Sequence, residues 1–236
     1  MAILSEKMPY QLIRSRRKTI SISFDKDVNL IVKAPLWVRT KDIEAFLAEK
    51  AEWIEATGRR LENARQKRLA TRIRLENGDV LNYQGRELVL TVIREERSRA
   101  KVKQIEGRLL MWVPYDADYD YLQIQLEKWF RKEALFIIAK KAEDYAQELS
   151  VSYEDIRIKD QKSRWGSCSG KGNLNFNWRI IMAPESVCDY VIIHELCHLR
   201  HMDHSPDFWR LVESICPDYK KKREWLKEHA EELYVF

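Results

Sequence analysis

Polar and hydrophobic residues alternate in two stretches of the amino-terminal half, and each stretch predicts a β-hairpin. The predicted strands are residues 19–24 with 29–35 and residues 101–105 with 109–114. After each hairpin, apolar residues recur at the three-to-four-residue spacing of a helix, over residues 40–62 and 121–149. The pattern therefore predicts a duplicated unit in which a hairpin is followed by a long helix.

A charged, turn-rich segment separates the two predicted units. It covers residues 66–86 and contains Asn77-Gly78-Asp79, a strong signal for a turn. We therefore predict a domain boundary near residue 75. It divides an amino-terminal hairpin and helix region, residues 1–75, from a second region, residues 76–236.

The last third of the chain mixes strands and helices. Strands are expected over residues 151–159 and 173–178, and the second has a clean period of two. In that strand Leu174, Phe176 and Trp178 should face the core, and the asparagines between them should face outward. The predicted helices span residues 184–198 and 205–215, and a last one, after Pro217, runs toward His229. The predicted fold class is α+β.

One of these helices carries two histidines four residues apart, with a glutamate beside the first. The segment is His194-Glu195-Leu196-Cys197-His198, and residues four apart share a helix face. Neutral imidazole is a favoured zinc ligand, and a carboxylate beside the metal can take a proton from water. His194 and His198 are therefore predicted zinc ligands, and Glu195 is the predicted general base of a hydrolase.

A third ligand is expected because a catalytic zinc ion usually has three protein ligands and one open position. His204 follows His198 by six residues, as in zincins whose chain turns back after the active helix, and we predict it as that ligand. His201 stands where most metzincins have glycine, and we interpret it as a surface or supporting residue. Glu213 ranks below His204 as a ligand, and Cys197 is interpreted as a buried thiol.

Composition and charge narrow the protein class. The 236 residues are 45% hydrophobic and 33% charged, which argues against disorder. The apolar runs are too short for a membrane span, and Glu6 and Lys7 interrupt any signal-peptide core, so a cytoplasmic protein is predicted. Four cysteines without a CxxC pair predict reduced thiols. The net charge of +5 favours an anionic partner weakly, and Lys220–Arg223 is interpreted as a solvated helix face.

Several motifs together resemble the YgjP-like family of zinc metallopeptidases, relatives of the SprT-like proteases. The motifs are Arg164–Ser169, Gly172–Arg179, Ala183-Pro184, Asp189–His198 and His204–Trp209. The resemblance implies a zincin-like catalytic region within residues 76–236, with His194, His198 and His204 as zinc ligands and Glu195 as general base. It implies a peptide or protein substrate, and SprT-like relatives make nucleic acid a possible partner.

Further roles are predicted for residues near the His194–His198 helix. Zincins commonly hold an extended substrate along an edge strand above the active helix, and residues 173–178 are the candidate, with a solvent-facing polar stripe as the equal alternative. Arg164 and Tyr190 are candidate donors to the oxyanion that forms when water adds to a carbonyl. Each could instead have a purely structural role.

Two other functions stay open at this stage. Arg164, Lys162 and Arg179 could bind phosphates, which would make the protein a metal-dependent hydrolase of nucleotide phosphoanhydrides. Alternatively, the histidines could form a structural metal site in a non-catalytic nucleic-acid-associated module, although Glu195 argues against this. The sequence does not determine the oligomeric state.

Overall fold

Three β-sheets and six α-helices form the part of the chain that the computed structural model describes, residues 9–25, 27–71, 73–161 and 163–234. The predicted α+β class is confirmed. The chain separates into two units, residues 1–70 and 71–236. The functional division predicted near residue 75 remains a prediction.

The first unit is a three-stranded sheet with two helices. Its elements are β1 (Tyr10–Ser15), β2 (Ser21–Phe24), β3 (Leu30–Pro35), α1 (Thr40–Glu49) and α2 (Ala51–Thr71). The sheet order is β1-β3-β2, with β1 parallel and β2 antiparallel to β3. Val32, Ala34 and Ile43 are fully buried, so the apolar side of the hairpin packs with the first helix.

The helical part of this unit differs from the prediction of one helix over residues 40–62. Lys50 leaves the helical conformation (φ −97°, ψ 8°) and divides α1 from α2. The second helix then continues to Thr71, through residues that were interpreted as the start of a turn-rich boundary. This segment contains no Gly or Pro after Gly58, and its arginine, lysine, glutamine and alanine residues favour helix despite their charge.

The second unit begins with a four-stranded sheet and a long helix. Its first elements are β4 (Val80–Tyr83), β5 (Arg86–Arg94), β6 (Lys101–Ile105), β7 (Arg108–Val113) and α3 (Tyr119–Leu149). The sheet order is β4-β5-β7-β6. One face of α3 is buried at Leu126, Phe130 and Ile138, so this helix spans the core of the unit.

The remaining elements carry the motifs identified in the sequence. They are β8 (Asp155–Lys159), β9 (Gly166–Cys168), β10 (Asn173–Asn177), a 3₁₀ turn (Trp178–Met182), α4 (Glu185–Cys197), α5 (Pro206–Ile215), α6 (Tyr219–His229) and a second 3₁₀ turn (Ala230–Leu233). Ser205 caps α5, since its hydroxyl accepts a hydrogen bond from the Phe208 amide at 3.4 Å. Within the described residues, no helix is both long and apolar enough to cross a membrane.

The prediction that residues 173–178 form an edge strand is wrong. β10 is the central strand of the sheet β8-β10-β9, parallel to β8 and antiparallel to β9. Both of its edges are therefore occupied by backbone hydrogen bonds. The edge strand of this sheet nearest the histidine motif is β9, which the sequence did not predict because it has only three residues.

The predicted inward face of β10 is confirmed, and its predicted outward face is not. Leu174, Phe176 and Trp178 are fully buried. Asn177 is also buried, because its side chain donates to the Gln161 carbonyl at 2.7 Å and accepts from the Arg179 amide at 3.1 Å. Its amide caps the following 3₁₀ turn, a role that period-two counting does not detect.

The predicted duplication is visible in both units. β1, β2 and β3 have the same order and the same relative directions as β5, β6 and β7. In the first copy Arg14 donates to the carbonyls of Pro35 (3.2 Å) and Val38 (2.6 Å). In the second copy Arg94 donates to those of Tyr115 (3.0 Å) and Ala117 (2.8 Å). We call each arrangement an arginine clamp, because one side chain holds the loop between strand and helix.

Candidate metal centre

Helix α4 places His194 and His198 side by side. Ile192 and Leu196 on the same helix are fully buried, so they anchor the helix in the core. The centres of the two imidazole rings are 4.9 Å apart, as expected for residues one helical turn apart. The position of both rings therefore follows from packing of the apolar residues that flank them.

The turn after α4 brings a third histidine to the first two. The amides of Arg200 and His201 both bond to the Cys197 carbonyl, at 3.1 and 3.0 Å, and so end the helix. The chain then reverses before α5 begins at Pro206. His204 lies in this reversal, with its Nε2 3.2 Å from Nε2 of His194.

The three histidines meet the geometric requirement for a single metal ion. One ring nitrogen from each of His194, His198 and His204 lies within 4.8 Å of the others. Two tetrahedral ligands with metal–nitrogen bonds of about 2.0–2.1 Å are about 3.3 Å apart, close to the separation of the His194 and His204 nitrogens. Among the described residues, no other group of three or more histidine, cysteine or acidic side chains converges in this way.

Burial keeps His194 and His198 in the neutral form that binds metals. Burial lowers the pKa of His194 to about 3, and His198 and His204 contribute to the shift. Burial also lowers the pKa of His198. Both rings are therefore neutral at physiological pH, and a neutral imidazole has a lone pair available for a metal.

A backbone carbonyl sets the tautomer of His198. Its Nδ1 lies 3.0 Å from the carbonyl oxygen of His201, so Nδ1 carries the proton and donates it to that oxygen. Nε2 is left as the nitrogen that can bind a metal. The side chain of His201 does not join the cluster, in line with its interpretation as a supporting residue.

Two aromatic residues of α5 pack against the histidine rings. Phe208 stacks on His198 with ring centres 4.5 Å apart. The ring of Trp209 is tilted against that of His204, and their centres are 5.6 Å apart. Sequence reasoning gave these residues no role, although both belong to the last of the motifs quoted above. They fix the orientation of the two rings, because a stacked ring cannot turn away without losing its contact.

Glu195 is buried beside the histidines and beneath β9. Burial raises its pKa to about 8, although the charge of Arg164 and the backbone of Cys168 act in the opposite direction. A Cβ atom on Gly166 would lie 2.5 Å from Oε1 of Glu195. Only glycine therefore leaves room for this carboxylate, and Gly166 is a site residue that the sequence analysis missed.

Arg164 and Tyr190, the predicted oxyanion donors, lie beside His194 and Glu195. A cavity of about 450 Å³ is lined by both, together with His194 and Glu195. The Arg164 side chain is exposed, whereas Tyr190 is buried with its ring centre 5.8 Å from that of His194. Burial raises the pKa of Tyr190 to about 12, so its hydroxyl remains a proton donor for hydrogen bonds.

Two cationic residues of α6 also line this cavity, Arg223 and Lys227. Arg223 is exposed, as expected for the solvated face predicted at Lys220–Arg223, and its guanidinium also lies 5.4 Å from the Trp209 ring centre. Residues 219, 223, 226, 227 and 230 share one side of the helix, so periodicity could have shown a common face. It could not have shown that this face borders the site, because nothing local connects α6 to α4.

Other predicted residues stay outside the cluster. Glu213 is exposed and does not take part in it. Cys197 is fully buried, and burial raises the pKa of its thiol to about 12, which fits an inert thiol. Arg179 cannot bind a phosphate as predicted, because it is buried, paired with Asp160 and packed on Trp178. Lys162 lies outside the described residues.

The four cysteines are free thiols, as predicted. Cys188 and Cys197 are in the core, and Cys216 is also buried. Cys168 is half-buried close to Glu195, and burial raises the pKa of its thiol to about 11. None of the four is therefore a thiolate at neutral pH, so the environment does not activate these cysteines as nucleophiles.

Comparisons with known proteins identify the family of this chain. The YgjP-like metallopeptidase domain matches residues 18–229. Among solved structures, the metallopeptidase zymogen abylysin of Pyrococcus abyssi is 26% identical over 39% of this chain and 93% of its own, with a TM-score of 0.36. The zymogen jannalysin of Methanocaldococcus jannaschii is 21% identical over 37% and 94%, with a TM-score of 0.33. The search of curated proteins gives no match. The family match covers most of the chain, and the chain belongs to the YgjP-like metallopeptidase family.

Proposed function

We propose that the protein is a zinc-dependent peptidase with a zincin-like active site. The observation that supports this most directly is the convergence of three histidine nitrogens within 4.8 Å, beside a buried glutamate in a cavity. His194, His198 and His204 would hold the zinc ion. Three protein ligands leave a fourth position open, the arrangement of catalytic rather than structural zinc.

A bound zinc ion would supply an electrophile that polarises the substrate carbonyl and makes a water molecule more acidic. Glu195 is the group that transfers the proton. Its carboxylate takes a proton from the attacking water and delivers it to the nitrogen of the leaving amine. Burial of Glu195 favours this exchange, because it brings the proton affinity of the carboxylate close to the value that proton transfer near neutral pH requires.

Tyr190 and Arg164 are proposed to stabilise the negative charge on the substrate oxygen. Both line the cavity that contains Glu195, and both can donate hydrogen bonds. Tyr190 is held rigidly, since its ring stacks on Tyr219, which in turn stacks on Trp209 at 5.1 Å. A fixed donor stabilises developing charge without reorganisation.

An extended peptide is proposed to bind along β9. Among the described residues this strand pairs only with β10. On its other edge the Cys168 backbone bonds to Glu195, and a peptide can meet the remaining backbone groups there. Gly166, at the start of β9, lies directly over Glu195. A peptide paired with β9 would therefore pass the carboxylate.

Nucleotide phosphoanhydrides are a second candidate substrate, and one observation favours them. Arg164, Arg223 and Lys227 line the cavity, and three cations suit a polyphosphate. The same cations would also accept a peptide with acidic side chains.

The test is to incubate the zinc-loaded protein with unfolded casein and, separately, with nucleoside triphosphates. We expect peptide bonds to be cleaved, and we expect a chelator to abolish cleavage until zinc is restored. Arg164→Gln and Tyr190→Phe should each lower kcat more than they change KM, since they act on charge that develops in the transition state. Release of phosphate or pyrophosphate that requires Glu195, with no peptide product, would replace the peptidase proposal by the second candidate.

Gly166→Ala is expected to reduce peptidase activity by about 10²-fold without loss of zinc, because a displacement of roughly 1 Å of a catalytic group has such an effect. The added methyl group would collide with Oε1 and Cγ of Glu195, at 2.5 and 2.6 Å, and the carboxylate must move. Gly170→Ala is the matched control, since a Cβ at that residue meets no atom within 4 Å. Steady-state kinetics and metal analysis of both variants provide the measurement. Equal activity in the two variants would show that the position of Glu195 does not limit the rate.

A further inference from the structure

The two arginine clamps hold equivalent loops whose tips both expose an aromatic residue, Trp37 at 75% and Tyr115 at 69%, but whose neighbouring charges differ. In the first copy the Val38 amide bonds to the Pro35 carbonyl at 3.3 Å, and in the second the Ala117 amide bonds to the Pro114 carbonyl at 3.2 Å. The two turns therefore align residue by residue, with a constant offset in number. This alignment allows the exposed residues of one loop to be compared directly with those of the other.

The first loop displays apolar side chains at its tip. Leu36 is 60% exposed and Trp37 is 75% exposed, although both are large and hydrophobic. The equivalent residues of the second loop are Tyr115 and Asp116. An exposed tryptophan therefore replaces what is a carboxylate in the other copy, so the turn itself does not require an aromatic residue there.

Three cationic residues lie on the segments that adjoin the Trp37 loop. The sheet order β1-β3-β2 means that the connection from β1 to β2 crosses the end of β3, where Leu36 and Trp37 emerge. That connection carries Arg16 and Lys18, both exposed. Lys41, also exposed, lies in the first turn of α1. Among the described residues, no acid forms an ion pair with any of these three side chains, whereas Arg39 pairs with Asp42 at 3.0 Å.

The second copy has acids at most of the aligned positions, although Lys18 aligns with Ser98 and the second strand connection also contains Arg97 and Arg99. Asp116, Asp118 and Asp120 stand where the first copy has Trp37, Arg39 and Lys41, and its strand connection begins with Glu95-Glu96. Asp118 caps its helix by accepting a hydrogen bond from the Tyr121 amide at 2.8 Å. Acids near a helix amino terminus are favourable and cations are not. The basic residues of the first copy are therefore unfavourable for the helix, which points to a role in binding.

The overall charge shows the same asymmetry. Residues 1–70 contain 15 lysines and arginines and nine acids, out of 42 and 37 in the whole chain. The first unit is thus clearly basic, whereas the rest of the chain is close to neutral. A basic unit with an exposed aromatic tip is complementary to a polyanion that also offers flat aromatic groups.

We infer that the surface formed by Arg16, Lys18, Leu36, Trp37 and Lys41 binds single-stranded nucleic acid. Trp37 stacks on an unpaired base, and the three cations contact the phosphates on either side of it. The sugar-phosphate chain is therefore bound without dependence on base sequence. This inference concerns the first unit and does not depend on the proposed peptidase activity.

A single-stranded polyanion fits this surface better than an anionic membrane does. Stable binding to a membrane surface requires a wide apolar face, usually an amphipathic helix. Here the two tip residues are the most exposed large apolar side chains described in the first unit. Ile13 and Trp53 are less exposed, at 37% and 49%, and α2 has many charged residues distributed along its length. One aromatic ring beside cations is sufficient to stack a base.

The test measures fluorescence anisotropy of labelled oligothymidine and oligouridine, each of about 20 nucleotides, with the full-length protein. We expect Trp37→Ala to weaken binding about tenfold, the effect of losing one base stack. Changing Arg16, Lys18 and Lys41 together to glutamine should reduce the slope of log Kd against log salt concentration by about two, since each phosphate contact contributes about 0.7. Tyr115→Ala, at the equivalent loop, is the matched control and should leave Kd unchanged.

Three results would overturn the inference. The first is unchanged affinity in Trp37→Ala when its melting curve matches that of the wild type. The second is that Arg223→Gln abolishes oligonucleotide binding whereas Trp37→Ala leaves it unchanged. This result would place the nucleic acid at the cavity in the second unit. The third is binding to phosphatidylserine vesicles that Trp37→Ala abolishes, combined with unchanged oligonucleotide binding.

Discussion

Replacing Glu195 by glutamine is expected to lower the rate of peptide hydrolysis by at least about 10³-fold, the range for loss of a general base. The amide has the same size as the carboxylate but cannot accept a proton from water. It therefore still fits the narrow space beneath Gly166. Zinc content should remain close to one ion per chain, because the three histidines are unchanged. Metal analysis and steady-state kinetics of the same preparation provide the measurement.

The same substitution should not destabilise the metal-free protein. Because burial raises the pKa of Glu195 to about 8, folding disfavours its charged form, and the folded protein loses stability as the pH rises from the usual carboxylate pKa to about 8. Glutamine has no charge to bury, so the Tm of metal-free Glu195→Gln at pH 8 should equal or exceed that of the wild type. A lower Tm together with the loss of activity would attribute that loss to misfolding instead of chemistry.

Substitution of the histidines is expected to remove the metal and with it the activity. His194→Ala and His204→Ala each leave two imidazoles, so we expect zinc content to fall below about a tenth of the wild-type value. A ligand present at about 1,000 times its Kd contributes about 4 kcal/mol to stability. Loss of the zinc ion should therefore lower the Tm of the second unit by roughly 10 °C. His204 gives the clearer result, because its side chain is exposed and its removal leaves the core intact.

His201→Ala is the matched control for the histidine variants. His201 lies three residues before His204, but it contributes its backbone carbonyl to His198 and not its side chain to the cluster. Zinc content, Tm and activity should therefore stay close to the wild-type values. Equal loss of zinc in His201→Ala and His204→Ala would mean that the third ligand had been assigned to the wrong histidine.

The positions of the histidines could be anticipated because short-range rules determine them. Spacing along one helix aligns His194 with His198, and the Ser205-Pro206 signal predicts the chain reversal that carries His204 back. The two hairpins and the long helix at 119–149 were also predictable, since each has a clear local period. Helix ends were harder, because the break at Lys50 has no Gly or Pro to mark it.

The surroundings of the histidines could not be anticipated, because they depend on contacts between distant segments. Gly166 reaches Glu195 only when β9 pairs with β10 over α4. Arg223 enters the cavity wall only when α6 packs beside α4. The edge-strand prediction failed for the same reason, since alternation shows which face of a strand is buried but not whether both edges are paired.

The arginine clamps have a consequence for how this protein can evolve. Each loop between strand and helix is held by the carboxyl-terminal end of the neighbouring strand, through bonds from Arg14 or Arg94 to backbone carbonyls. Backbone carbonyls are common to all residues, so mutations at the tip leave the clamp intact. The two copies could therefore diverge after duplication, one to Leu36-Trp37 and the other to Tyr115-Asp116, under selection for recognition alone and with little risk to folding.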